Sequence, residues 1–348
     1  MTAETIDPDT LEPGAPESGR RVRKRLVRPM PMEGDDGLFS QTWFPVALSD
    51  EVQKGQVVGK DFLDGRIVIF RGENGKISVT SAYCPHLGAD LSVGAVVGNN
   101  IQCAFHKWEY DQEGWVARTG VGDPAPPAAC LFLFPSQERY GIIWAFNGEE
   151  PLWDLFDFEK SDEDLAFRPF NTDVYTCDPW IFSANTPDIQ HIKAVHGIQF
   201  KMPDPHDAVE WDEFGFRMQI EAIHQRGEEL AWNVGLRGTS TFIQEGMVDD
   251  WWMGVAAGFA CPRPGTHIVY LAIAVDKSDG TPEGDALVEQ RLSFGAELLG
   301  RTAAEDKPIL DSIHYKPGAL TRGDTSLARW LNLIRKYPRA HPSRDFIN

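Results

Sequence analysis

Positive charge is scarce in this 348-residue sequence: 33 Lys and Arg stand against 52 Asp and Glu, a net charge of −19. Binding to nucleic acid or to an anionic membrane surface needs a clustered basic footprint, and the only basic run, "RRVRKRLVR" at 20–28, is short. Neither a nucleic-acid nor a membrane partner is therefore expected. Also missing is an uninterrupted apolar stretch long enough to cross a bilayer. The opening "MTAETIDPDTLEPGAPESGR" is acidic, rich in Pro and Gly, and without the apolar centre of a secretory signal. Cysteine is sparse, five in all. An odd number in a long chain suits a reducing compartment better than a disulfide framework, so a soluble, cytoplasmic protein is expected.

The 42% hydrophobic content can fill two cores, and 348 residues exceed what one core usually organises. From about residue 42 the chain reads as short β-rich runs separated by turn residues. "RIVIFRG" and "KISVTSAY" flank a turn at Glu73-Asn74-Gly75, and "KWEYDQEGWVAR" turns at Gln112 to Gly114. The acidic, irregular stretch 149–165 reads as a linker. Beyond it come a helix expected over 180–196, long β-type runs such as "FGFRMQIEAIH" and "THIVYLAIAV", and a final helical stretch from about Asp285, with Val288, Leu292 and Leu299 at helical spacing. Strands followed by a long helix predict an α+β protein whose curved antiparallel sheet wraps that helix. The expected division is a lead-in at 1–39, a first domain at 40–150 and a second at 151–348.

Two motifs carry chemistry. "CPHLGAD" places Cys84 two residues before His86, and "CAFHKWEYD" places Cys103 three before His106. A zinc site, a cysteine nucleophile with its base, and an iron–sulfur centre could each use such a pair. A structural zinc site more often groups Cys with Cys and His with His. A nucleophilic pair would leave the second pair without a role. Two matched sulfur–nitrogen loops suit a [2Fe–2S] cluster with two thiolates on one iron and two imidazoles on the other. The second motif, "NTPDIQHIKAVHG", holds Asn185, Asp188, His191 and His196. Helical spacing sets Asn185, Asp188 and His191 on one face, whereas His196 meets the same metal only if the helix ends or bulges before it; Gly197 makes an ending plausible.

The first motif resembles the two ligand loops of Rieske proteins. Ala89 and Phe105 stand where the respiratory branch has an extra cysteine pair, which places the likeness with the oxygenase and ferredoxin branches. Lys107 replaces the glycine usual after the second histidine, so that turn either avoids positive φ or holds a lysine under modest strain. The second motif resembles Asn-x-x-Asp-x-x-His-x-x-x-x-His of Rieske non-heme iron oxygenase α subunits. The resemblance covers about residue 40 to the end and implies an all-β Rieske [2Fe–2S] domain followed by a helix-grip (START-like) catalytic domain. It implies a cluster on Cys84, His86, Cys103 and His106, and a mononuclear Fe(II) on His191, His196 and a distant carboxylate. Asp306 is the expected third ligand, with Glu305 and Asp311 as rivals. Asp188 would link the two metal centres across a head-to-tail homotrimer, hydrogen-bonded to a cluster histidine of a neighbour and to an iron histidine of its own subunit.

No flavin or nicotinamide fingerprint occurs, so electrons are expected from a separate flavin reductase, a ferredoxin, or both. Lys107 beside His106 would offer an acidic ferredoxin a local positive charge. The length is nearer to the homotrimeric monooxygenases and demethylases than to the longer dioxygenase α subunits. The implied reaction is O2-dependent hydroxylation or dealkylation of a small apolar aromatic or alicyclic compound, with aromatics such as Trp232, Phe242, Trp251, Trp252 and Phe259 supplying core and pocket. The alternatives are ring cis-dihydroxylation and, in another class, an electron-transfer or ligand-binding module without iron chemistry.

Overall fold

The computed structural model describes residues 29–348; most of the expected lead-in, including the basic run at 20–28, lies outside the described residues. Small antiparallel sheets build the first part. Val57–Phe62, Gly65–Arg71 and Ile77–Ser81 form one meander, whose last turn is the Glu73-Asn74-Gly75 hairpin. Ser136–Arg139 and Ile142–Phe146 pair with Trp43–Leu48 in a second. Four short strands between Ala95 and Arg118 form the third, with the Asp111 carboxylate accepting from the Glu113 and Trp115 N–H groups inside the expected tight turn.

The remainder centres on one antiparallel sheet of eight strands. Its order runs Leu165–Tyr175, His267–Asp276, Trp251–Ala260, Thr241–Val248, Glu229–Arg237 and Gly215–His224, and the last of these also pairs with Ile198–Phe200 and Val209–Trp211. Along Gly215–His224 burial alternates, with Phe216, Met218, Ile220 and Ala222 inside and Arg217, Gln219, Glu221 and Ile223 outside, as a strand wet on one face requires. Trp251–Ala260 is buried along nearly its whole length because both faces are covered.

On one face of that strand lies the long helix. Met253, Val255, Ile273 and Val275 pack with Leu292 of the helix Pro282–Leu310, alongside Val288 and Leu299. This is the helix wrapped by a sheet that the spacing predicted. On the other face Trp252, Ala256, Ala272 and Ala274 belong to one buried core with Trp43, Trp144 and Phe146 of the first part.

Two expectations need correction. The stretch read as a linker is irregular, but Trp153, Leu155, Phe156 and Phe158 are buried in that same layer, and the Trp43 indole N–H donates to the Trp153 carbonyl at 2.8 Å. Its acidic residues are the outward ones, so average composition concealed an apolar seam. The helix expected over 180–196 is two short helices, α1 (Pro179–Ser183) and α2 (Ile189–Ala194). Pro187 lies between them; it lacks an N–H and disfavours helical geometry in the residue before it. The long helix is α3 (Pro282–Leu310), and α4 (Thr325–Lys336) follows. The chain end returns to the first part: Arg339–Ala340 pairs with Phe39–Ser40, and Ile347 joins the core around Phe44 and Phe62.

Candidate functional site: two metal centres and a cavity

The two cysteine–histidine loops share one backbone design. The Cys84 N–H donates to the Ala89 carbonyl at 2.9 Å, and the Cys84 carbonyl accepts from the Gly88 N–H at 2.8 Å. In the second loop the Cys103 N–H donates to the Trp108 carbonyl at 2.8 Å, and the Cys103 carbonyl accepts from the Lys107 N–H at 3.1 Å. The residue four beyond each cysteine closes the loop in a left-handed conformation, Gly88 at φ 75° and Lys107 at φ 58°. Lys107 thus occupies the place of Gly88, and a lysine there costs about 1 kcal/mol.

Both thiols are buried, at 3% and 1% exposure for Cys84 and Cys103, while His86 is exposed and His106 partly so. The imidazole centroids are 4.6 Å apart, and the Trp108 ring stacks on His86 at 4.7 Å. Burial pushes the Cys84 thiol pKa up, as expected for a sulfur in apolar surroundings without a metal. The Tyr110 hydroxyl lies 3.0 Å from the Cys84 sulfur and is placed to donate to a thiolate there. That tyrosine was not anticipated; its only sequence signal is its place seven residues after Cys103. Sulfurs inside and imidazoles outside match the two sides of an asymmetric [2Fe–2S] cluster, so this donor set fits that group.

The second centre forms where α2 meets α3. Asp188 is the N-cap of α2, and its Oδ1 accepts from the His191 N–H at 2.9 Å. Among the described residues no hydrogen bond joins Asp188 to the ring of His191 or His196, so the expected bond to an iron histidine is not seen. α2 ends at Ala194, His196 follows outside the regular turns, and Gly197 at φ 66° turns the chain away. The break lets both imidazoles converge: His191 Nε2 and His196 Nε2 are 3.0 Å apart. Asp306 lies inside α3 and is 4% exposed. Its Oδ1 is 3.4 Å from His191 Nε2 and 3.3 Å from His196 Nε2.

Three ligands at right angles on one ion, with bonds of roughly 2.0–2.2 Å, have edges of roughly 3 Å. The observed triangle has those dimensions, and Asp306 Oδ1 is buried with no hydrogen bond of normal geometry. Two histidines and one carboxylate on a single face suit non-heme Fe(II) and leave positions open for small molecules. Burial alone would raise the Asp306 pKa, but His191 and His196 outweigh it and hold the carboxyl below its usual range. Burial would lower the His196 pKa, but Asp306 and Glu305 raise it.

The other expected residues separate. Asn185 Nδ2 donates to Asp306 Oδ2 at 3.2 Å. Glu305 Oε2 faces the far nitrogen of His196, Nδ1, at 3.2 Å. Asp311 points elsewhere, accepting from the Thr176 N–H at 2.7 Å and pairing with Lys307 at 2.9 Å.

Beside this triangle lies a cavity of about 250 Å³. Its walls are mainly apolar and include Phe170, Phe182, Ile220, Leu271 and Leu298, with Asn185, His191, His196 and Asp306 also on its lining. Of the aromatics noted in the sequence, Trp232, Phe242 and Phe259 line it, whereas Trp252 packs against Phe158 and Trp251 against Phe294 of α3. Adjacent residues of a strand face opposite sides, so Trp251 and Trp252 cannot both join one layer.

Paired Cys–His loops on small β-sheets and a His–His–Asp triangle beside a helix-wrapped sheet are two donor sets, each suited to a metal centre. Residues 42–128 match the family model of the Rieske [2Fe–2S] domain. Cholesterol 7-desaturase of Bombyx mori is 33% identical over 193 residues, covering 53% of this chain and 41% of that protein. The oxygenase component of chloroacetanilide N-alkylformylase from Rhizorhabdus wittichii is 30% identical over 163 residues, 45% and 47% of the two chains. The matched region thus spans less than half the length of these relatives. Dicamba monooxygenase bound to dicamba superposes with a TM-score of 0.66 at 20% identity, covering 85% of this chain and 96% of that one. Residues 42–128 thus form a Rieske [2Fe–2S] domain, and the chain as a whole shares the fold of dicamba monooxygenase.

Proposed function

We propose that this protein is the terminal oxygenase component of a Rieske oxygenase system, using O2 and externally supplied electrons to hydroxylate or oxidatively dealkylate a small apolar aromatic or alicyclic compound. The observation that carries this reading is the His191–His196–Asp306 triangle opening on an apolar cavity. In this reading Cys84, His86, Cys103 and His106 hold the cluster, and His191, His196 and Asp306 hold the mononuclear iron. The proposed division is a Rieske domain at 40–150 and a catalytic domain at 151–348. When bound, the cluster would supply electrons singly and the iron would supply the O2 chemistry.

The chain's own residues do the rest. The apolar walls bind a ring skeleton and keep bulk water from it. Asn185 holds the outer oxygen of Asp306, leaving the inner one for the metal. His86 and His106, on the surface, are the points at which electrons enter or leave. A ferredoxin or flavin reductase is the proposed donor, and a head-to-tail homotrimer, in the cytoplasm, is the proposed assembly. Among the described residues no helix is long and apolar enough to cross a membrane.

Asp188 has one carboxylate oxygen on the α2 N-terminus and the other uncommitted, which suits a bridge toward a neighbour's cluster histidine. Asparagine caps helices as well as aspartate does. Asp188→Asn is therefore expected to keep its fold and both metals while losing about 10- to 100-fold in product formed per electron consumed. Wild-type coupling in that variant would remove the assignment.

The overall test is single-turnover oxidation by the reduced protein and O2 of a panel of aromatic, alicyclic and N- or O-alkylated compounds, read by mass spectrometry with iron analysis. An oxygenase yields oxidised product and about three irons per chain; an electron-transfer module yields none and about two.

A further inference from the structure

Each member of the His–His–Asp triangle needs something to hold its donor atom in place. His191 stands on α2, whose first turn Asp188 caps. Asp306 stands within α3, and Asn185 holds its outer oxygen at 3.2 Å. His196 has no helix beneath it. It follows the end of α2 and precedes the left-handed Gly197, so no helical backbone ladder restrains its ring.

Support comes from α3. Successive helical residues point about 100° apart, yet Asp306 and Glu305 both reach His196. Asp306 Oδ1 is 3.3 Å from Nε2, and Glu305 Oε2 is 3.2 Å from Nδ1. The two nitrogens lie on different edges of the imidazole, so the ring is set between the two carboxylates. One turn of one helix thus faces both the inner and the outer nitrogen of a side chain 109 residues away.

We infer that Glu305 is a positioning residue for the iron centre: its carboxylate accepts from the His196 Nδ1–H, and so directs the Nε2 lone pair at the metal. This rests on the iron site proposed above. A neutral imidazole carries one N–H and one lone pair, so an acceptor at Nδ1 fixes which nitrogen can bind metal. A carboxylate behind a metal-bound histidine also makes the ring a better donor. Glu305 does not touch the metal. Its side chain is 43% exposed, so water screens its charge, and its main effect is on orientation and tautomer.

The test is cobalt(II) binding to protein freed of its mononuclear iron but retaining the [2Fe–2S] cluster, comparing wild type, Glu305→Ala, Glu305→Gln and Asp306→Ala. The visible spectrum of the cluster reports on folding in every variant. Glu305→Ala is expected to weaken cobalt binding about 10-fold and to change the cobalt ligand-field spectrum. Glu305→Gln, whose amide oxygen still accepts from Nδ1–H, is expected to stay within about threefold of wild type with the wild-type spectrum. Cobalt affinity within twofold of wild type and an unchanged spectrum in Glu305→Ala would overturn the inference. If Asp306→Ala binds cobalt as wild type does, the iron-site reading itself fails, and the inference with it.

Discussion

Asp306→Ala is expected to be purified with its [2Fe–2S] cluster intact, its mononuclear iron lost, and no product formed in a single turnover. The triangle explains the size of the effect. Two imidazoles alone cannot balance the charge of an Fe(II) ion in a site where the carboxylate is 4% exposed, and Asp306 Oδ1 closes two of the triangle's three edges. Loss of a metal ligand exceeds loss of a supporting residue, which typically costs 10- to 100-fold, so iron affinity is expected to fall by more than about 100-fold. The cluster loops share no residue with α2 or α3 and are unaffected by the change. Asp311→Ala is the matching control, because its carboxylate is turned to Thr176 and Lys307. Iron analysis with single-turnover product yield reads both variants. Full iron occupancy in Asp306→Ala would remove Asp306 from the ligand set.

The second large effect is expected at the other centre. Cys84→Ala removes a buried thiol whose loop is otherwise closed by two backbone hydrogen bonds, and the cluster would be the main tie between that loop and the one carrying Cys103. Metal binding to such a site contributes directly to folding stability. The variant is expected to lose the visible absorption of the cluster, all electron transfer to the catalytic centre, and on the order of 10 °C of thermal stability in the first part of the chain. The iron at His191, His196 and Asp306 should persist, so iron falls from about three per chain to about one. Absorption spectra, iron content and thermal unfolding measure this; a variant that keeps the full cluster spectrum would exclude Cys84 as a ligand.

How much could be read in advance differs between the two centres. The cluster loops were legible because all four donors lie within 23 residues, and their spacing is itself the chemistry. Even the anomaly at Lys107 was visible, and the structure answers it: the lysine takes the left-handed conformation that Gly88 takes in the other loop. The iron centre was legible only in part. His191 and His196 form a local pattern, but the helix meant to carry them is broken at Pro187, and that break recruits Asp188 as a cap. The residues of "AAEDKPILDS" by themselves do not rank Glu305, Asp306 and Asp311, all acidic and near one helix end; only the resemblance favoured Asp306. Their separation comes from where α3 lies against α2: one carboxylate faces inward, one faces the back of His196, and one faces Thr176.

The same division holds for the fold. Short-range regularities, such as period-two burial in Gly215–His224, the Asn-Gly turn and the helical spacing of Val288 and Leu292, belong to single segments and can be read from them. The stretch 149–165 read as an acidic linker because composition averages over a segment and cannot say which side chains point inward. Long-range placement depends on packing between segments far apart in the chain: Ile347 against Gly65, Trp144 against Gly258, Glu305 against His196. These contacts arise when apolar surfaces on separate elements are buried together. Residue types, their spacing and the resemblance they carry therefore pointed to a [2Fe–2S] cluster and a mononuclear iron, whereas the proposed third ligand, the proposed holder of His196 and the walls of the cavity required the packed chain.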